Sequence, residues 1–251
     1  MPTADLRNGR LQGLDALRGL AMVWMTVFHA AFDLNQFGYL RQNFYGDPFW
    51  TWQRTVIVSL FLLCAGLGQG IAVAQQQSWP RFWRRWAQVA TCALAVTAAS
   101  WWMYPQSFIY FGVLHGMALM LIVVRLTANW GRYLWLAGAL AMALPLLAPL
   151  LHNSWQALDM LNDRAWNWLG LISRKPITED YVPLQTWLGV MWWGAALAPV
   201  FLKRLETGTS PVAQSARGLN SLALLGRWSL PYYMLHQPVL IGALMAWGSV
   251  N

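Results

Sequence analysis

Long apolar runs, rather than short alternations, organise this chain. No Asp, Glu, Lys or Arg occurs from Thr55 to Pro80, Trp86 to Val124, Tyr133 to Leu158, Tyr181 to Leu202, or Trp228 to the C-terminus. A bilayer crossing takes about 20 apolar residues. Each stretch therefore predicts a membrane helix, and the second has room for two, with Tyr104-Pro105-Gln106-Ser107 as the turn between them. With a first span at Leu14–Leu34, the others fall near Val56–Ala74, Ala87–Met103, Phe108–Arg125, Tyr133–Leu151, Pro183–Leu202 and Ser229–Gly248. The expected fold is all-α: a polytopic membrane helical bundle of about seven transmembrane helices, forming a single transmembrane domain over residues 1–251. The opening Met1 to Gly13 is polar, unlike a cleavable signal peptide.

Basic residues set the orientation. With the N-terminus inside, the cytoplasmic side receives Arg7, Arg10, Arg18, Arg81, Arg84, Arg85, Arg125, Arg132, Lys203, Arg204, Arg217 and Arg227, which is 12 of the 17 Lys and Arg. Arg41, Arg54, Arg164, Arg174 and Lys175 fall outside, so the reading is N-in and C-out. Composition agrees: 57% of residues are hydrophobic and 10% charged, against about a quarter charged in soluble chains. The net charge of +8 is scattered between apolar runs as topology signals, which makes the lipid bilayer the partner and excludes nucleic acid. The alternation of aromatic and basic residues from Ser78 to Trp86 suits a segment in the inner headgroup region. Cys64 and Cys92 both lie in apolar stretches, so no disulfide framework and no metal site is expected.

Ionisable residues inside a span are costly and point to function. The first helix carries four. At 100° per residue, Arg18, His29 and Asp33 lie about −60°, −40° and 0° from Asp15, and Met22 and Thr26 share that face. Asp15 and Asp33 are about 27 Å apart along the axis, so the stripe runs from one membrane surface to the other. Two readings are open. Asp15 with Arg18 and His29 with Asp33 can be local pairs that lock helix packing. Alternatively, His29 is a general base oriented by Asp33, and Arg18, about 16 Å below, is a bidentate anchor for a phosphate.

His115, in the fourth span, is either a second acid or base or a hydrogen-bonded packing residue. On the last span, Ser229, Tyr232 or Tyr233, and His236 recur at helical spacing as a second polar stripe, placed in the inner half of the membrane, with Gln237-Pro238 beyond it. Glu179-Asp180 sits at the outer mouth of the sixth span, where a carboxylate can meet a hydroxyl-rich acceptor or simply be solvated. Gly66 and Gly70 have the small-xxx-small spacing of helix packing. His152 is expected in an outer loop.

Several segments together are similar to a known family. Arg10 with Leu14-Asp15-Ala16-Leu17-Arg18-Gly19-Leu20-Ala21, then Phe28-His29-Ala30-Ala31-Phe32-Asp33-Leu34, resembles the opening of heparan-alpha-glucosaminide N-acetyltransferase-like membrane proteins, which bacteria carry as a family of unknown function. Phe61 to Gly66, Phe108 to His115, Asp180 to Leu184, and Gly226-Arg227-Trp228-Ser229-Leu230 through His236-Gln237-Pro238 follow in matching order over nearly the whole chain. The resemblance implies a transmembrane acyltransferase of the bacterial inner (plasma) membrane. Such an enzyme takes acetyl-CoA or another acyl-CoA as co-substrate and needs no metal. Its acceptor is a sugar amine or hydroxyl of an envelope glycan or glycolipid on the far face, and self-association into a homo-oligomer is compatible with it. The implied catalytic residues are His29, Asp33 and His115. Arg18, Asp15, Arg10, Thr26 and His236 are the implied acyl-CoA contacts, and Asp180 and Tyr110 the acceptor contacts. The histidine that carries the acetyl group in the animal enzyme has no counterpart, since no histidine occurs between His29 and His115. Direct attack by the acceptor on the thioester is the mechanism this implies.

A different class of function remains open beside it: a small transporter or channel-like protein that uses the first-helix stripe as a proton or solute path. No paired interrupted helices of the transporter kind are evident.

Overall fold

A computed structural model describes residues 3–206 and 217–250. Among these the chain is all-α, as expected, with one isolated bridge between Phe111 and Tyr181. The helices are α1 (Thr3–Gln36), α2 (Pro48–Ala74), α3 (Trp79–Met103), α4 (Val113–Thr127), α5 (Tyr133–Ser154), α6 (Leu184–Ala196), α7 (Ala198–Glu206), α8 (Arg217–Arg227) and α9 (Ser229–Val250). Three stretches, Pro48–Ala74, Val113–Trp130 and Tyr133–Ser154, are long and apolar enough by themselves to cross a membrane.

Beyond the earlier starts of α1, α2 and α3, the helices depart from the expected spans in three places. The fourth helix starts at Val113 rather than Phe108, because residues 107–112 are held extended against 178–182. Glu179 N donates to the carbonyl of Ser107 (2.8 Å), Val182 N to that of Phe111 (3.2 Å), and Thr178 Oγ1 to that of Phe108 (2.9 Å). The sixth span divides into α6 and α7: Pro199 has no N–H to offer the carbonyl of Ala195, and the chain turns at Leu197. A further helix, α8, precedes the last span.

By backbone proximity the chain forms two compact units, residues 1–61 with 204–251, and residues 62–203. In the first, α1 packs on α8 and α9. The contact with α8 is backbone against backbone at two glycines. A Cβ on Gly19 would lie 2.0 Å from the carbonyl oxygen of Leu222, and one on Gly226 would lie 1.8 Å from that of Asp15. Above that crossing, Met22, Met25, Phe28, Phe44 and Ile57 form a buried cluster, with Phe44 and Trp50 stacked at 4.0 Å. Trp24 Nε1 donates to Gln53 Oε1 (3.0 Å), which fastens the first half of α2 to α1.

In the second unit the helices also approach through small residues. A Cβ on Gly66 would lie 2.0 Å from the carbonyl oxygen of Met191, one on Gly194 2.2 Å from that of Leu63, and one on Gly189 2.5 Å from that of Gly138. The Gly66 and Gly70 spacing is thus a packing seam against α6. Indole N–H groups staple the same unit: Trp86 to the carbonyl of Ala118, Trp192 to Thr127 Oγ1 (both 2.8 Å), and Trp193 to the carbonyl of Trp135 (3.0 Å). His152 corrects the expectation of an outer-loop residue. It is a buried member of α5, its Nδ1 3.3 Å from Asp159 Oδ1 and its Nε2 donating to the carbonyl of Leu171 (3.0 Å), so it fastens the following loop.

Candidate active site

In the first unit the polar stripe of α1 lies against that of α9. Thr26 Oγ1 donates to the carbonyl of Met22 (2.9 Å) and accepts from the Tyr232 hydroxyl (2.7 Å). One turn on, the rings of His29 and His236 meet edge to face, centroids 5.1 Å apart. A turn further, Gln237 Nε2 donates to Asp33 Oδ1 (2.7 Å). The paired positions ascend together on both helices, so α1 and α9 run parallel.

This seam corrects two expectations. His236 is level with His29 rather than in the other half of the membrane. The cause is α8, which occupies the length of α1 from Asp15 to Gly19 and so starts α9 beside the middle of α1. Asp33 accepts its hydrogen bond from Gln237, and among the described residues no hydrogen bond joins it to His29.

Four polar atoms of the seam are buried and have no partner among the described residues: His29 Nδ1, Asp33 Oδ2, His236 Nε2 and Gln237 Oε1. Asp33 is 3% exposed and His236 9%. Leaving a buried polar atom unpaired costs about 1–3 kcal/mol, so four of them on two facing helices mark a place suited to a polar ligand or water. His236 Nδ1 is engaged, donating to the carbonyl of Tyr233 (2.7 Å), and its ring stacks on Tyr232. Its proton on Nδ1 leaves Nε2 as an acceptor.

At the other end of the stripe, Asp15 is buried and holds two guanidinium groups. Arg18 Nη1 reaches Asp15 Oδ1 at 3.3 Å, and Arg227 Nε reaches Asp15 Oδ2 at 3.4 Å. Arg10 lies on the backbone of α1, outside the residues whose side chains are described.

Tyr110, His115 and Asp180 belong to the second unit. Thr97 Oγ1 donates to the carbonyl of Ile109 (2.8 Å), which leaves His115 Nε2 to donate to Thr97 Oγ1 (2.9 Å). His115 Nδ1 accepts from Gly112 N (3.3 Å), so both ring nitrogens are used by the protein. Asp180 Oδ2 accepts from Val113 N (2.7 Å), capping the start of α4 from a distant segment. A Cβ on Gly112 would meet that carboxylate oxygen at 2.3 Å. Tyr110 Oη accepts from Asn167 Nδ2 (2.8 Å), under the Arg164 guanidinium at 5.0 Å. Tyr181 Oη donates to the carbonyl of Asn167 (2.6 Å). Burial pushes both phenols above their ordinary range, and for Tyr181 the neighbouring Tyr110 adds to it, so both remain protonated. Asn167, 2% exposed with Oδ1 unpartnered, has no motif around it that a sequence reading could have caught. Gln237 and Arg227 were visible as polar residues beside α9 and were not singled out as partners of α1.

Among the described residues no group of three or more His, Cys, Asp or Glu side chains is arranged to hold a metal ion. No curated protein and no solved structure matches the chain. The family model described as heparan-alpha-glucosaminide N-acetyltransferase, catalytic, matches residues 10–238 and so takes in the paired positions of the seam and both residues that hold Asp15. The chain is an integral membrane protein that belongs to the heparan-alpha-glucosaminide N-acetyltransferase catalytic family.

Proposed function

We propose that this protein is a single-domain acyltransferase of the bacterial inner membrane, oriented N-in and C-out. It moves an acyl group, acetyl in the simplest case, from cytoplasmic acyl-CoA to a sugar amine or hydroxyl of an envelope glycan or glycolipid on the outer face. The observation that carries this reading is the half-buried His29 ring, whose buried Nδ1 has no partner among the described residues, facing His236 in a seam rich in unpaired polar atoms. The parallel course of α1 and α9 supports the count of crossings, and the bias of basic residues supports the N-in sense. Two parallel crossings require an odd number between them, and α2, α3, α4, α5 and the α6–α7 pair supply one.

The chemistry needs a base, donors for an oxyanion and an anchor for the donor substrate. His29 takes the proton from the acceptor amine or hydroxyl as its lone pair attacks the thioester carbonyl. The carbonyl electron pair moves onto oxygen, the tetrahedral intermediate collapses, the carbon–sulfur bond breaks, and the proton passes from His29 to the departing CoA thiolate. His236 stands beside His29 to accept or return that proton. Arg18, at the Asp15 end of the stripe, anchors a phosphate of CoA. Thr26 and Tyr232 pair with each other between these ends. Because His115 and Asp180 are committed to the start of α4, their part here is to hold Tyr110 and the 107–112 segment rather than to move protons.

The test is acetyl-CoA binding to the full chain in detergent by calorimetry, with transfer to envelope extracts followed by radiolabelled acetyl. His29→Ala should abolish transfer and keep acetyl-CoA binding, whereas Arg18→Ala should weaken binding by about 1.5–3 kcal/mol. Full transfer by His29→Ala would remove the base assignment. Absence of acetyl-CoA binding by the wild type would remove the function.

A further inference from the structure

Two guanidinium groups converge on Asp15. Its carboxylate is buried, one oxygen receives Arg18 and the other Arg227, so one negative charge stands between two permanent cations. The second guanidinium is not there for stability alone, since a partly exposed ion pair contributes little, and Arg227 is 57% exposed at its side chain. Arg227 uses only Nε on Asp15. Among the described residues neither of its Nη groups has a partner, and Arg18 beside it is 29% exposed.

The backbone fixes this arrangement. Gly226, the residue before Arg227, lies directly on the carbonyl of Asp15, and Gly19, the residue after Arg18, lies on the carbonyl of Leu222. The two arginines are thus carried by the two helices at their point of closest approach. A larger residue at either glycine would part them.

We propose that Arg227 is the second guanidinium of a phosphate cradle, set beside Arg18 by Asp15, and that the cradle takes a phosphate group of the acyl-CoA donor. This rests on the acyltransferase reading given above. Guanidinium forks match phosphate oxygens two at a time, and Arg227, which spends only Nε on Asp15, keeps its Nη fork for such a ligand. CoA offers two sources of that chemistry, its 3′-phosphate and its diphosphate.

The experiment measures binding to the full chain in detergent by calorimetry, comparing wild type, Arg18→Gln, Arg227→Gln and Arg227→Lys. The probes are acetyl-CoA, acetyl-3′-dephospho-CoA and inorganic pyrophosphate. Arg227→Gln should weaken acetyl-CoA binding roughly ten- to hundredfold, the range expected for a charged hydrogen bond. Arg227→Lys keeps the ion pair with Asp15 but lacks the fork, so it should recover only part of the affinity at an unchanged melting temperature. That result separates loss of binding from loss of fold. A penalty that disappears with the dephospho ligand assigns the cradle to the 3′-phosphate, and one that persists assigns it to the diphosphate. Wild-type acetyl-CoA affinity in Arg227→Gln, with Arg18→Gln weakened, overturns the cradle and leaves the acyltransferase reading intact. Pyrophosphate binding that depends on Arg227, in a protein that does not bind acetyl-CoA, keeps the cradle and removes the acyltransferase reading. Binding of neither ligand by the wild type overturns both.

Discussion

Asp33 has one oxygen satisfied by Gln237 and one unpaired, at 3% exposure. Replacing Gln237 by Leu would bury the carboxyl group with neither oxygen paired. Gln237→Leu should therefore destabilise the protein by about 1–3 kcal/mol, read as an earlier melt in detergent. Replacing Asp33 by Leu in the same chain should return much of that loss, because removing both partners is far cheaper than removing one. Additive losses in the double variant would contradict the pairing. At this scale the sequence was informative about faces and silent about partners. A spacing of 100° per residue identifies Asp15, Arg18, Thr26, His29 and Asp33 as one stripe, but it cannot say what the stripe meets. Asp33 finds a glutamine 204 residues away, and His115 finds Thr97 on the helix before it, so neither partner was legible from the local pattern.

Between helices, glycines decide how closely the stripes meet. Gly226→Ala would place a Cβ 1.8 Å from the carbonyl oxygen of Asp15, a backbone atom that cannot rotate away. It should cost 1–3 kcal/mol or more, roughly the range for overpacking, and lower the yield of folded protein. Gly242→Ala, on α9 with nothing within 4 Å of the added Cβ, is the matched control. It should be neutral or stabilise by up to ~1 kcal/mol through helix propensity. Equal melting temperatures for the two variants would contradict the close crossing. The long apolar helices were legible because length and freedom from charge suffice to recognise them. The amphipathic α8 was not, since it is 11 residues long and its apolar run, Leu222 to Leu225, is far too short to cross a bilayer. The start of α4 was misjudged because Asp180 and the 178–182 segment, far along the chain, hold residues 107–112 out of the helix.

For the molecule as a whole, the proposed orientation makes a labelling prediction. Gln76, exposed in the turn between α2 and α3, should face the cytoplasm, and Arg174, exposed in the segment between α5 and α6, should face outward. In intact cells a membrane-impermeant maleimide should label Arg174→Cys directly and Gln76→Cys only after permeabilisation. The reverse pattern would invert the orientation. Composition and charge placement were enough to identify a membrane bundle, because 57% hydrophobic content and charge-free runs leave few other solutions. Pairing of α1 with α9 has a bearing on how the protein is made. The Asp33–Gln237 bond closes across 204 residues, a stretch that takes roughly 10–40 s to synthesise at about 5–20 residues per second. Throughout that interval α1 sits in the membrane with its carboxylate and histidine unmet, and only release of α9 completes them. A chain stopped before α9 is thus an orphan with polar groups facing lipid, the kind of species that membrane quality control removes, and maturation is gated by the emergence of α9.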